Sequence, residues 1–258
     1  CHHSEIEIVR DGSAGGAAVV RATGFTDING FVNFQGFGLL VIPEEIDPTI
    51  DDYIECATTY VLKPASTKLD VYWTFYNPGE NTEIGPFGMF NDTGGETEVF
   101  APVRGFERLG LEAISTLGEP RPVEYIVYQG PGVAYGILPQ SAASVPYSQF
   151  SISGISVFLW GADILLDVLD YDSWYFSVDP KQGITHHATV VVGKDASSVA
   201  AAYAETNGQA VGIITGEVSY TNGNDATGAR VGVYDDVDSD GAVGEDDIIR
   251  TYADVSMD

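Results

Sequence analysis

The sequence predicts an all-β protein, and three observations carry that expectation. Short runs rich in Val, Ile, Thr, Tyr and Phe recur along the chain. Turns built from Gly, Pro, Asn and Asp separate them. One segment alone has plain helical character. About a dozen strands at such spacing point to sheet-on-sheet packing, a β-sandwich or supersandwich with a small C-terminal β-sandwich-like domain and one short helix. The expected boundaries are a large antiparallel β-sandwich over 1–194, a helical linker over 195–209, and a smaller β domain with an acidic loop over 210–258. No fixed internal period is present, which disfavours a solenoid or propeller.

Glu5 to Val9 alternates as a half-buried strand does, Asp11 to Gly16 supplies a turn, and Ala17 to Gly24 is the returning strand. Phe31 to Ile42 is rich in Phe, Val and Leu but cut by Gly36 and Gly38, the marks of a bulge or a close backbone approach. Pro43 and Pro48 bracket an acidic loop. The strongest hairpin signal is Tyr53 to Leu62, a turn at Lys63 to Thr67, and a return over Lys68 to Asn77. There Leu69, Val71, Trp73 and Phe75 share one face by period two, while Tyr72, Thr74 and Tyr76 take the other.

From Gly85 to Arg108 the pattern is loop-like, with Pro86, Gly94-Gly95 and Pro102. Val123 to Tyr128 and Val133 to Leu138 form another strand pair around Gln129 to Gly132. Further strands are expected at Ile152 to Trp160, Trp174 to Val178 and Thr185 to Val192, with an apolar run over Ile164 to Leu169. Asp195 can cap a helix over Ala196 to Glu205, and Gly208 stands where a left-handed C-terminal residue belongs. Ala210 to Tyr220 and Ala229 to Tyr234 are the last two expected strands.

Composition limits the partners. The chain has 11 Lys+Arg against 38 Asp+Glu, a formal charge of −27. Such a surface repels nucleic acid and anionic lipid and attracts divalent cations. No apolar run is long enough to span a bilayer. Cys1 and Cys56 are the only cysteines, too few for a disulfide scaffold. Three readings stay open for Cys1: a bridge to Cys56, a lipid anchor at the start of a mature lipoprotein, or a start inside a longer chain.

The most specific motif runs from Asp236 to Asp247. Carboxylates stand at its first, third and fifth places (Asp236, Asp238, Asp240), glycine at the sixth (Gly241), and a carboxylate at the twelfth (Asp247). This is the ligand spacing of a twelve-residue Ca²⁺ loop, because a hard cation needs about six to eight oxygens and a short loop must present alternate side chains inward. Ala242 offers its backbone carbonyl, Gly244 leaves room for water, and Val243 is expected to point back into the protein. Asp247 replaces the usual glutamate with a shorter arm, which predicts a weaker site. The alternative is a solvated acidic turn.

The stretch Asp236 to Gly241, followed by Val243 and Asp247-Ile248-Ile249, resembles one dockerin half, including the apolar start of its exiting helix. A dockerin carries two such segments and this chain has one, so the resemblance implies calcium and no cohesin partner. Ile213-Ile214-Thr215-Gly216-Glu217-Val218 and Gly228 to Tyr234 resemble carboxypeptidase-regulatory-like, transthyretin-like sandwiches. That resemblance implies a spacing or stabilising module, whose next strands would come from another chain or from a longer protein. Residues 5 to 195 resemble the β-supersandwich regions of large secreted bacterial proteins, on Glu7 to Gly12, Val71 to Gly79 and Thr185-His186-His187-Ala188. In some of those proteins a metallohydrolase domain follows, but its clustered histidine ligands do not occur in this chain.

Catalytic motifs are otherwise lacking. Within His2-His3 and within His186-His187 the neighbours face opposite sides of a strand, so neither pair chelates from one face. No GxSxG, HExxH or phosphate-cradling glycine loop is present. Acid pairs such as Glu44-Glu45, Asp51-Asp52 and Asp167/Asp170 are expected by chance among so many carboxylates. Tyr72, Trp73, Tyr76, Trp160, Trp174 and Tyr175 suit either a sandwich core or a sugar platform. The sequence thus predicts a non-enzymatic, calcium-stabilised β protein of the extracellular space or cell surface, self-associating through edge strands. A carbohydrate-binding portion of a larger secreted hydrolase is the alternative.

Overall fold

The structure is a computed structural model that describes residues 2–27, 53–81, 83–85, 87–92, 98–102, 105–108, 124–140, 147–152, 155–160, 176–224 and 226–255. It is mostly antiparallel β sheet with one helix among the described residues. The chain divides into two compact units, each of two stretches: 1–88 with 159–188, and 89–158 with 189–258. This division falls at other places than the boundaries expected at 194 and 209.

In the first unit β1 (His2–Arg10), β2 (Ala18–Asp27), β3 (Tyr53–Leu62) and β4 (Lys68–Tyr76) pair in that order, followed by the first residues of β14 (Gly183–Gly193). The turn from β1 to β2 closes because Asp11 accepts from the Ser13 amide at 2.9 Å and Gly12 adopts a φ of +77°. A side chain there would enter the disfavoured left-handed region. The β3–β4 register sets Cys56 opposite Phe75 and Thr59 opposite Tyr72, so the alternation read from the sequence is the alternation of the sheet. Val71 is buried on the apolar face. Cys56, also buried, is disulfide-bonded, while Cys1 lies outside the described residues.

Asn77, 0 % exposed, knots the end of β4. Its amide nitrogen donates to the carbonyls of Asn81 and Val178, both at 2.7 Å, and its side-chain oxygen accepts from the Gly79 amide at 2.8 Å. Its backbone exchanges bonds with Gln182 and Lys181, each at 2.9 Å. A buried amide with every group satisfied rigidifies the turn that the Asn-Pro-Gly signal marks. Beside it β5 (Glu83–Gly85) pairs with β13 (Phe176–Val178).

The second unit contains β7 (Glu98–Ala101), β8 (Gly105–Arg108), β9 (Ile126–Gly130) and β10 (Val133–Pro139), paired in the order β10-β9-β7-β8 beside the later residues of β14. A three-stranded sheet of β11 (Tyr147–Ile152), β12 (Ile155–Trp160) and β6 (Phe87–Asp92) lies chiefly within this stretch of chain. Strands β6, β7 and β8 correct the loop expected over 85–108. Val99, Phe100 and Ala101 are all buried, and three apolar residues among turn formers are too short a run to show a period.

Helix α1 (Ala196–Thr206) starts where its cap predicts: the Asp195 carboxylate accepts from the Ser198 amide at 3.1 Å and the Ser197 hydroxyl at 2.6 Å. Gly208 takes the left-handed conformation after its end, with φ +65°. Rather than serving as a linker, this helix lies in the core. Val199 is buried with Phe100, Leu138, Val191 and Tyr252, and a Cβ on Gly136 would stand 2.3 Å from its Cγ1. Glycine at 136 is what lets the helix approach β10.

The last sheet is a hairpin of β15 (Arg230–Asp235) and β16 (Ile248–Asp254). Ile249 and Tyr252 of β16 enter the core, whereas every residue of β15 is exposed. The strand expected over Ala210 to Tyr220 is not formed. Residues 210–218 carry no ladder, and Ile213 and Ile214 are 88 % and 82 % exposed. Among the described residues no neighbouring edge accepts them, and a strand exists only as half of a ladder.

Replacing Gly136 with alanine should cost about 1–3 kcal/mol through overpacking against Val199. Chemical denaturation of G136A, V199A and the double variant checks this: the double variant should be more stable than the two single losses added together predict.

Candidate cation site and the polar face of β4

The loop from Asp236 to Asp247 joins β15 to β16. Here the structure departs from the dockerin-like expectation, because Ile248 and Ile249 open a strand and not an exiting helix. The reason is tertiary. Residues 248–254 pair with β15 and insert Ile249 and Tyr252 into the core, which a lone helical turn at this place would not do.

Within the loop the predicted carboxylates converge. Asp236, Asp238 and Asp240 each offer an oxygen, and these lie within 4.8 Å of one another. This is the one group of potential metal ligands of its kind among the described residues, and all three side chains are exposed. Backbone amides shape the loop. Asp236 accepts from the Asp240 amide at 3.1 Å and from the Gly241 amide at 3.0 Å. Asp238 accepts from the Asp240 amide at 3.2 Å, and Asp240 from the Ala242 amide at 2.7 Å. Gly241 has φ +76°, the sharp turn its place demands, and Ser239 also takes a positive φ of 61°.

Two details differ from expectation. Val243 is 68 % exposed and does not point into the protein. In a hairpin tip the apolar eighth residue has no helix pair to pack against. Asp247 lies outside the converging trio. Its oxygens accept from the Val237 amide at 3.0 Å and the Gly244 amide at 2.7 Å.

The donor set suits a hard divalent cation: exposed carboxylates, no sulfur and no imidazole. Like charges held this close, each pair repelling by roughly 1 kcal/mol even in water, favour a counter-ion. The stem is tied down from outside the loop. Arg250 pairs with Asp235 at 2.5 Å and Glu124 at 3.8 Å, and its carbonyl accepts from the Tyr125 hydroxyl at 2.7 Å. Arg230 bonds Asp254 at 3.1 Å and also Glu98, with its guanidinium 5.0 Å from the centroid of the Tyr252 ring. The Tyr252 hydroxyl donates to Gln129 at 3.3 Å.

The His186-His187 pair behaves as strand geometry requires. His187 stacks on Tyr72, centroids 4.1 Å apart and planes 10° from parallel, with Nε2 3.5 Å from Asp70. His186 faces Phe75 on the other side of β14. His3 bonds the Thr58 hydroxyl at 3.1 Å. Lys63 also pairs with Asp70, at 3.2 Å. One polar face of β4 therefore gathers Asp70, Tyr72 and Thr74, the last bonded to Thr185 at 3.0 Å. Glu44-Glu45, Asp51-Asp52, Asp167, Asp170, Trp174, Tyr175 and the Trp160 side chain lie outside the described residues.

No family model matches the chain, and no curated protein matches it. Solved structures do. A protein from Klebsiella pneumoniae assigned as an aldose 1-epimerase matches at 10 % identity and a TM-score of 0.43, over 76 % of this chain and 56 % of that one. Galactose 1-epimerase from Lactobacillus acidophilus matches at 10 % identity and a TM-score of 0.40, over 74 % of this chain and 66 % of the other. An α-N-acetylgalactosaminidase from Bifidobacterium bifidum matches at 13 % and 0.40, over 79 % of this chain and 30 % of the enzyme. The chain spans little more than half the length of the first of these. One expectation is corrected by this comparison: the prediction of a non-enzymatic chain is withdrawn, because the solved structures it is similar to are named as enzymes. Likeness at this level transfers no reaction, substrate or residue role.

Burial holds the His186 imidazole below its ordinary pKa. A base whose pKa is depressed on folding contributes stability that is fully present above its unfolded value of about 6.5 and is lost as pH falls through that value toward the folded one. Stability measured by denaturant should therefore rise as pH climbs toward and through about 6.5, and H186Q should flatten that slope. An unchanged slope in the variant would assign the dependence to other groups.

Proposed function

We propose that the chain is a calcium-stabilised β protein of the cell surface or extracellular space, its ion held at the β15–β16 tip by Asp236, Asp238, Asp240 and the Ala242 carbonyl. The single observation that carries this reading is the convergence of three carboxylates at the first, third and fifth places of a twelve-residue loop whose sixth residue is a left-handed glycine. Bound calcium would relieve the repulsion in the trio and hold the tip of a hairpin whose other strand carries Ile249 and Tyr252. The bonded Cys56 fits an oxidising compartment, and a formal charge of −27 fits a protein that stays soluble where divalent cations abound. Self-association through edges is part of the same reading. Among the described residues β1 is an outermost strand of its sheet, and Ile6 and Ile8 on it are exposed.

A second reading, carbohydrate recognition, draws on the polar face of β4. Tyr76 is 37 % exposed there, on the side that carries Asp70, Tyr72 and Thr74, an aromatic and hydrogen-bonding mixture suited to sugars. A glycan-array signal that Y76A abolishes would favour it, and a silent array would remove it.

Calorimetric melting in calcium and in EGTA tests the first reading. Free Ca²⁺ at about 100 times Kd should raise stability by roughly 2.7 kcal/mol. D238N and D240N keep an amide-accepting oxygen but lose the charge. Both should lose the calcium-dependent shift and melt no lower than the parent protein in EGTA. Equal loss in both conditions would mean that the carboxylates serve packing alone.

A further inference from the structure

Among the described residues, 210–218 carry no ladder and β15 carries one on a single side. We infer that the 210–218 segment of one copy adds as a strand to the outer edge of β15 in a second copy. This rests on the self-association proposed above and gives it a donor and an acceptor; it does not depend on calcium.

The donor is an apolar run that the fold leaves in solvent. From Ala210 to Gly216 there is no charged residue, in a chain that carries 38 acidic ones. All of residues 210–218 are exposed, Val211, Ile213, Ile214 and Val218 among them. β-Branched side chains suit a pleated, half-buried surface, which this segment gains only by joining a sheet.

The acceptor is a regular edge. β15 pairs with β16 from Arg230 opposite Asp254 to Asp235 opposite Ile248, and the one register shift puts its extra residue, Arg250, on β16. β15 is therefore unbulged. β1, by contrast, carries extra residues at Ser4 and Val9, and bulges are one way in which an edge is closed to pairing. The Val255 amide donates to the Ala229 carbonyl at 2.8 Å, so the backbone of residue 229 faces β16. Alternation then turns the backbone of Val231 and Val233 the same way and aims the amides and carbonyls of Gly232 and Tyr234 outward. The side chains of Val231, Val233 and Tyr234 are exposed beside that edge.

The chain's own segment is held away from this edge, because the chain reverses twice before β15 begins. The Gly223 amide donates to the Tyr220 carbonyl at 2.8 Å, and the Ala229 amide to the Ala226 carbonyl at 2.9 Å. Two reversals restore the first direction, so residues 210–218 would meet their own β15 as a parallel neighbour. A parallel pair needs a crossover of roughly a dozen or more residues. Here residues 219–229 are taken up by the two turns. A second copy has no such tether. Donor and acceptor are different surfaces, so a copy that accepts still has a segment to give. The contact therefore propagates head to tail, into a ring or a filament.

Light scattering on the full chain over a concentration series tests this, and the mass of the parent protein should grow with concentration. I213K/I214K places two charges on the exposed donor. Y234P removes an outward amide from the acceptor, at a place where an edge strand tolerates proline. Each variant alone should stay monomeric. An equal mixture should form a dimer and stop there, since I213K/I214K still accepts and Y234P still donates. Hydrogen exchange on the parent protein gives a second readout: the Gly232 and Tyr234 amides should slow about tenfold or more on assembly, with Val231 and Val233 unchanged. An I213K/I214K variant that associates as the parent does, or an assembled parent with unchanged exchange at Gly232 and Tyr234, overturns the inference and leaves self-association to another edge. A parent protein that is monomeric at every concentration overturns self-association as well.

Discussion

Val199 occupies space that any side chain on residue 136 would need, and the second unit is arranged around that contact. Because Gly136 has no Cβ, helix α1 approaches β10 closely enough for Val199 to reach the layer holding Phe100, Leu138 and Tyr252. Glycine weakens a strand interior, so its presence there is explained by the close approach it permits. The same layer receives Ile249, and through it the acidic loop is attached to something rigid. Phe100 meets Tyr252 edge to face at 5.1 Å, a geometry aromatic pairs favour.

The hairpin β15–β16 has two kinds of residue and two environments. Its inner strand is anchored by apolar side chains and by the Tyr252–Gln129 bond, where burial also pushes the Tyr252 phenol up and keeps it neutral. Its outer strand and tip are exposed and carry charge. Arg230 and Arg250 stand at the junction, each bound to a carboxylate of the hairpin and to one outside it, Glu98 for Arg230 and Glu124 for Arg250. With 11 basic residues against 38 acidic ones, placing two arginines here separates a dense group of acids from the core they adjoin.

Local patterns were legible wherever they formed without help from distant chain. The hairpin over Tyr53 to Tyr76 shows in its alternation. Helix α1 shows in its Asp195 cap and terminal Gly208, and the Asp236 to Gly241 turn in its spacing. Each depends on contacts a few residues apart. Strands β6, β7 and β8 were hidden because they are short and interrupted by turn formers, and only pairing with neighbours makes them strands. Residues 210–218 failed in the opposite sense: their β-branched content is high, but no ladder takes them up among the described residues. The two amide bonds of Asp247 were hidden as well, since spacing alone does not show which backbone groups a carboxylate meets.

By itself, then, the sequence determined the all-β class, the positions of the turns and the carboxylates that meet at the loop. Those follow from period, backbone preference and short-range hydrogen bonding, which act within a few residues. Tertiary structure alone decided that the helix is core and not linker, that a strand leaves the acidic loop, and which oxygens of that loop already have partners. These outcomes depend on which surfaces meet across 50 or more residues of chain (Gly136 with Val199, Phe100 with Tyr252), and no local pattern encodes that meeting.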